Sequence, residues 1–205
     1  MKRLGCLILT VCLISGMFVG CGSIESDSTI VSIGKKGTVT TIDVEDFEQA
    51  YYTESDFRVF AESAINTYNM AHEVDSVTLE EFAVTDGVAK LKMEFKTAKD
   101  YSDFNGIVLF HGTVVDAVAN SYKFDGDFLA VEKGEVTGSA AKTEILANGD
   151  LNIVIIQANT DVQVAGKICY VSKQNVTVTA KDTVSIRDAE NAALESDVLT
   201  YIIYK

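Results

Sequence analysis

His72 and His111 are the only histidines in the chain, and they come without partners in sequence. A zinc site takes three or four N, S or O ligands. No HxxxH, HExxH or CxxC spacing occurs here, so both histidines read as structural. His72 is expected at a helix C-terminus, where a cationic side chain suits the dipole; His111, just before Gly112, is expected at a strand-to-helix turn. Asp125-Gly126-Asp127 and the pair Asp100 and Asp103 are oxygen clusters of a kind that holds Ca²⁺. Neither fits the twelve-residue EF-hand loop, and turn residues on an acidic surface explain them equally well. Ser139-Ala140-Ala141-Lys142 has the S-x-x-K spacing in which a lysine activates a serine. Ser32-Ile33-Gly34-Lys35 has it too and K-T-G is absent, so chance explains both. No G-x-S-x-G, Walker A or G-x-G-x-x-G occurs, which removes the usual support for serine hydrolase, NTPase and dinucleotide chemistry. Paired carboxylates for glycoside cleavage are set in three dimensions, and among 30 acids some pair always fits. No catalytic residue, metal or cofactor is assigned.

The N-terminus carries chemistry of another kind. Met1-Lys2-Arg3 is a positive region, and the chain then runs uncharged and apolar from Leu4 to Gly20. That is the layout of an export signal. Phe18-Val19-Gly20-Cys21 resembles the lipobox of bacterial lipoproteins, with Phe18 where Leu is usual. The resemblance implies cleavage before Cys21, diacylglycerol on its sulfur and a further acyl chain such as palmitate. One acyl chain binds a membrane only marginally, whereas two hold firmly. The expected organisation is a signal peptide over residues 1–20, lipidated Cys21 with a flexible tether to residue 29, and one domain over 30–205. An uncleaved membrane helix is the alternative, although the apolar run is near the lower limit of roughly 17 to 25 residues.

The formal net charge is −13; loss of Lys2 and Arg3 leaves 15 of the 17 basic residues against 30 acids, or −15. Such a surface repels nucleic-acid phosphates, so no nucleic-acid partner is expected. Of the four cysteines, Cys6 and Cys12 lie in the signal, Cys21 takes lipid, and Cys169 alone is left in the domain. An exported domain without disulfides must be stabilised by its apolar core. In Lys167-Ile168-Cys169-Tyr170-Val171, Ile168 and Tyr170 are expected on one strand face and Cys169 on the other, as a small buried hydrophobe.

The elements follow from periodicity. Ile30–Ile33 and Thr38–Ile42 flank Gly34-Lys35-Lys36-Gly37 as a hairpin. Phe57, Phe60, Ala61, Ala64, Ile65 and Tyr68 form one helical stripe, begun by a capping box at Thr53-Glu54-Ser55-Asp56. Val77–Thr85 and Val88–Phe95 flank the turn Asp86-Gly87. Residues 96–105 read as a polar loop plugged by Tyr101 and Phe104. Ile107–Phe110 reads as a strand, and Thr113–Ser121 as a helix capped by Thr113. Strands are predicted at Phe128–Glu132, Lys142–Ala147, Leu151–Ala158, Val162–Val164, Lys167–Val171, Asn175–Thr179, Thr183–Ile186 and Val198–Tyr204. Asn148-Gly149 reads as a hairpin turn, Leu151–Ile156 as a central strand and Arg187–Ser196 as a short surface helix. With no prolines, the sheet edges need other protection, for which Lys90 and Lys92 are candidates.

The expected fold is α+β: a mostly antiparallel sheet, one main amphipathic helix packed on it, and a β-rich C-terminal half with sandwich or barrel character. The mature domain is similar to small surface lipoproteins of Gram-positive bacteria. The implied function is a non-catalytic binding or envelope-associated module on the outer membrane face, anchored through Cys21 and facing an envelope protein or ligand. The alternatives are a carboxylate-dependent hydrolase of envelope or extracellular polymer, and a solute-binding lipoprotein of a transporter.

Overall fold

The computed structural model describes residues 25–48, 53–187 and 195–205, with side chains of 195–197 left aside. Cys21 and the signal segment lie outside these residues. Thirteen strands and four helices are described: β1 (Ile30–Ile33), β2 (Val39–Asp46), α1 (Glu54–Ala71), β3 (Val77–Thr85), β4 (Val88–Phe95), α2 (Ala98–Asn105), β5 (Leu109–Thr113) and α3 (Val114–Ala119). They continue with β6 (Phe128–Glu132), β7 (Glu135–Ala140), α4 (Lys142–Ala147), β8 (Asn152–Ala158), β9 (Asp161–Val164), β10 (Ile168–Ser172), β11 (Val176–Ala180), β12 (Thr183–Ile186) and β13 (Glu195–Tyr204). The fold is α+β and β-rich, as the periodicity predicts.

The strands make two sheets, ordered β11-β12-β9-β1-β2-β4-β3 and β5-β8-β13-β10-β6-β7. Every pairing is antiparallel except β1 with β9. The sheets pack face to face, because the main core joins Val31, Ile33, Val39 and Phe95 of one to Val154, Ile156, Val171 and Ile202 of the other. The central strands β8 and β13 of the second sheet are buried on both faces. Ile153, Ile155, Tyr201 and Ile203 point the opposite way, into a cluster with Val114 and Ala117 of α3, Ile145 of α4, Phe124 and Phe128. Two-sided burial is why Leu151–Ile156 is nearly continuous apolar sequence rather than alternating.

The first two hairpins form as predicted. Gly37 (φ 83°), Asp86 (φ 51°) and Gly87 (φ 76°) supply the left-handed backbone that the turns need. The capping boxes at Thr53/Asp56 and Thr113/Asp116 are both closed, each threonine accepting from the N3 amide while the aspartate accepts from the cap amide. α1 packs on β3 and β4 through Phe57, Ala61, Phe82, Ala89 and Leu91. Phe60 departs from the predicted stripe: it is 70% exposed. The contact face is narrower than the apolar face because β3 is the outermost strand and the sheet ends beneath it.

Other expectations are corrected. Lys142–Ala147 is a helix, not a strand, and Asn148 ends that helix, so Asn148-Gly149 is no hairpin turn. KTEILA is rich in helix formers, but six residues are too few to show a period. Residues 98–105, read as loop, are α2, whose Thr97 side chain accepts from the Asp100 amide; Tyr101 and Phe104 do plug the core. A bulge between Ile168 and Tyr170 turns those side chains to opposite faces, Ile168 into the main core and Tyr170 toward the second cluster. Cys169 is half-buried rather than buried. Lys90 and Lys92 guard no edge, since β4 lies between β2 and β3. Of the helix predicted over Arg187–Ser196, residues 188–194 lie outside the described residues, and Glu195-Ser196 already belong to β13.

Candidate functional site

Three separated segments meet at one end of the sandwich. The β1–β2 turn contributes Lys36 and Gly37, the start of α2 contributes Thr97, Ala98, Lys99 and Ser102, and β5 contributes Leu109, Phe110 and His111. Between them lies an open cleft of about 330 Å³, at the small end of the range for ligand sites. Each wall is fixed by local chemistry. The turn closes through Gly34 N–H to Thr38 O at 2.8 Å and Gly37 N–H to Gly34 O at 3.0 Å. Ser102 ties α2 to β5, its hydroxyl accepting from Leu109 N–H at 2.8 Å and donating to Leu109 O at 3.0 Å.

His111 forms the floor. Its Nε2 is 3.1 Å from the Tyr204 hydroxyl on β13, and burial lowers its pKa. A neutral imidazole that accepts from Tyr204 at Nε2 carries its proton on Nδ1. Gly37 lies against that atom, because a Cβ on Gly37 would stand 2.8 Å from Nδ1. Tyr204 is itself buried, which pushes its phenol up to about 12, so it stays a protonated donor.

The cleft is rich in donors and poor in nucleophiles. Lys36 and Lys99 line it, and Ala98 and Lys99 are the first two residues of α2, whose N–H groups have no acceptor within the helix. Its two hydroxyls are committed: Ser102 to Leu109, and Thr97 to Asp100, donating to Oδ2 at 2.6 Å and accepting from the Asp100 amide at 3.1 Å. Lys99 also holds Asp103 at 2.6 Å. The arrangement suits binding of an anionic group through lysine and N–H donors, and it offers no serine, threonine or cysteine free to attack one.

The residues singled out in the sequence scatter. His72 donates from Nδ1 to Tyr68 O at 2.9 Å and stacks on the Tyr68 ring at 3.9 Å, closing the C-terminus of α1. Asp125 pairs with Lys142 at 2.7 Å, which lowers its pKa, and Asp127 with Lys173 at 4.0 Å. Lys142 is therefore held by Asp125 rather than aimed at Ser139. Asp100 receives Thr97 and the Tyr68 hydroxyl, so Asp100 and Asp103 serve different partners. Ser32 faces Gln163 at 3.4 Å. Burial raises the Cys169 thiol pKa, which disfavours the thiolate. Among the described residues no three His, Cys, Asp or Glu side chains gather to hold a metal, and no helix is long and apolar enough to cross a membrane. Of the cleft residues, the sequence marks His111 as a candidate, places Lys36 and Gly37 in the β1–β2 turn and Leu109 and Phe110 in a strand, and reads the α2 residues as loop. A second cavity of about 480 Å³ lies between Gly126–Phe128, Ser172–Asn175 and Val198–Tyr201 of β13. Phe128 and Tyr201 beneath it are buried, the latter donating to Lys123 O at 2.8 Å, so neither presents an open ring. Comparison with known protein families, curated proteins and solved structures finds no match to this chain.

Proposed function

We propose that the chain is a lipid-anchored, extracytoplasmic binding module that holds an anionic group, such as a phosphate or carboxylate of an envelope component, without turning it over. The observation that carries this reading is the cleft over His111, lined by Lys36, Lys99 and the first turn of α2, where both hydroxyls are already committed. On a chain of net charge −13, a local concentration of donors directs an anionic ligand to that end. The lipobox-like Phe18-Val19-Gly20-Cys21 supports the anchor, which brings the module close to envelope polymers.

The test is isothermal titration of the chain from residue 22 with inorganic phosphate, acidic sugars and cell-wall fragments. A saturable signal that weakens with added salt and is lost in Lys36→Glu is expected. Absence of binding by every anion, or binding that Lys36→Glu leaves unchanged, overturns the reading. For the anchor, Cys21→Ser is expected to abolish incorporation of labelled palmitate in cells.

A further inference from the structure

Most of the charge around the cleft is already matched. Lys99 is held by Asp103 at 2.6 Å, one turn further along α2. Asp100 sits in the first turn of the same helix, where the Thr97 hydroxyl donates to it at 2.6 Å and the Tyr68 hydroxyl at 3.2 Å. Its carboxylate thus answers the positive end of the α2 dipole. Lys36, across the cleft in the β1–β2 turn, pairs with no carboxylate among the described residues. His111 adds a donor without adding charge, since its Nε2 accepts from Tyr204 at 3.1 Å and its proton is on Nδ1. Among the described residues that proton has no acceptor. One unmatched cation beside neutral N–H donors complements a group that spreads a single negative charge over two oxygens. A second negative charge there would lie near Asp100 and Asp103 with no cation left to answer it.

We propose, building on the anion-holding role of the cleft, that it selects monoanions, a phosphodiester or a sugar carboxylate, over dianions such as phosphomonoesters. Lys36 supplies the charge, and the His111 Nδ1–H supplies a hydrogen bond that leaves the charge count at one. Asp103 sets the selectivity without lining the cleft, because by holding Lys99 it keeps a second full positive charge from the ligand. Tyr204 fixes the His111 tautomer from β13, a strand packed on both faces. The chemistry of the two ligand classes separates them at neutral pH. A diester or carboxylate keeps one charge, whereas a phosphomonoester loses its second proton near pH 6, to a first approximation. The cleft therefore passes over small phosphorylated solutes and holds the repeating anionic groups of a polymer. Its open form suits this, since a chain can continue past the seated group on either side.

The test is an NMR titration of the chain from residue 22, which contains every described residue, at about pH 7.5, where a phosphomonoester is a dianion. Dimethyl phosphate and acetate are the monoanions, and methyl phosphate is the dianion of nearly the same shape. At least one monoanion is expected to bind about threefold or more tighter than methyl phosphate. Whichever of the two binds tighter tells a phosphodiester source from a carboxylate source. The His111 ring is expected to carry its proton on Nδ1 in the long-range proton–nitrogen spectrum, and that nitrogen to shift as the monoanion binds. Asp103→Asn, which frees Lys99, is expected to raise methyl phosphate affinity about threefold relative to the monoanion. Methyl phosphate binding as tightly as both monoanions, a ratio that Asp103→Asn leaves unchanged, or a His111 proton on Nε2 overturns the monoanion selectivity and leaves the anion site standing. Binding of none of the three anions overturns both.

Discussion

Asp43 sits on the core-facing side of β2, opposite Leu91 of β4. The Thr41 hydroxyl donates to it at 3.1 Å, but burial outweighs that bond and, with Glu45 nearby, pushes its carboxyl up to about 6. The native state thus holds this proton more tightly than the unfolded chain, whose aspartates titrate near 3.8. Stability from this residue is fully present below about pH 4 and is lost as pH rises to about 6, since the unfolded state releases its proton first. The gap corresponds to about 3 kcal/mol. Asp43→Asn is expected to remove this slope and to be the more stable form at pH 7 by up to that amount, measured by urea unfolding at pH 4, 5, 6 and 7. Parallel curves for the two proteins would count against it. Nothing in the sequence marks Asp43, because its neighbours come from β4 and α2. The cleft is similarly hard to read: Lys36, Lys99 and His111 are brought together by sheet order, and only His111 belongs to a residue type that draws notice alone.

α1 shows what element-level reading captures and where it stops. Its existence, its start at Thr53 and its buried Ala61 and Ile65 follow from a helical period sustained over 18 residues and a capping box. Phe60 was placed by residue type in a stripe whose true limit is set by the end of the sheet. Asn69, polar and easily dismissed as solvent-facing, instead satisfies both backbone groups of Val77. Opposite outcomes are expected. Asn69→Ala leaves a buried strand end unpaired and should cost about 1–3 kcal/mol, whereas Phe60→Ser should stay within about 0.5 kcal/mol of the parent. Equilibrium denaturation decides between this and the pattern-based ranking, in which Phe60 matters more. Short elements escaped for a different reason. α2 and α4 give no more than two turns of period, and β7, exposed along most of its length, lacks the alternation that announces a strand.

The two core clusters share one sheet, and that sharing determines how the molecule must come apart. Val154 and Ile156 of β8 face the first sheet, while Ile153 and Ile155 between them face α3 and α4. β13 repeats the pattern with Ile202 and Tyr204 on one side and Tyr201 and Ile203 on the other. Neither cluster can lose its packing while β8 and β13 stay ordered with an apolar face in water. Breaking β8 opens both clusters at once. Residues 30–205 are therefore expected to unfold in one calorimetric transition with matching calorimetric and van't Hoff enthalpies, despite two distinct cores. The same geometry predicts that Ile155→Ala and Ile156→Ala, adjacent residues pointing opposite ways, each cost about 2–5 kcal/mol, since both are completely buried. In a sheet with one wet face, one of two neighbours would be nearly silent. Two resolved transitions, or a variant that lowers only one of them, would show that the clusters behave as separate units and that the shared sheet does not couple them.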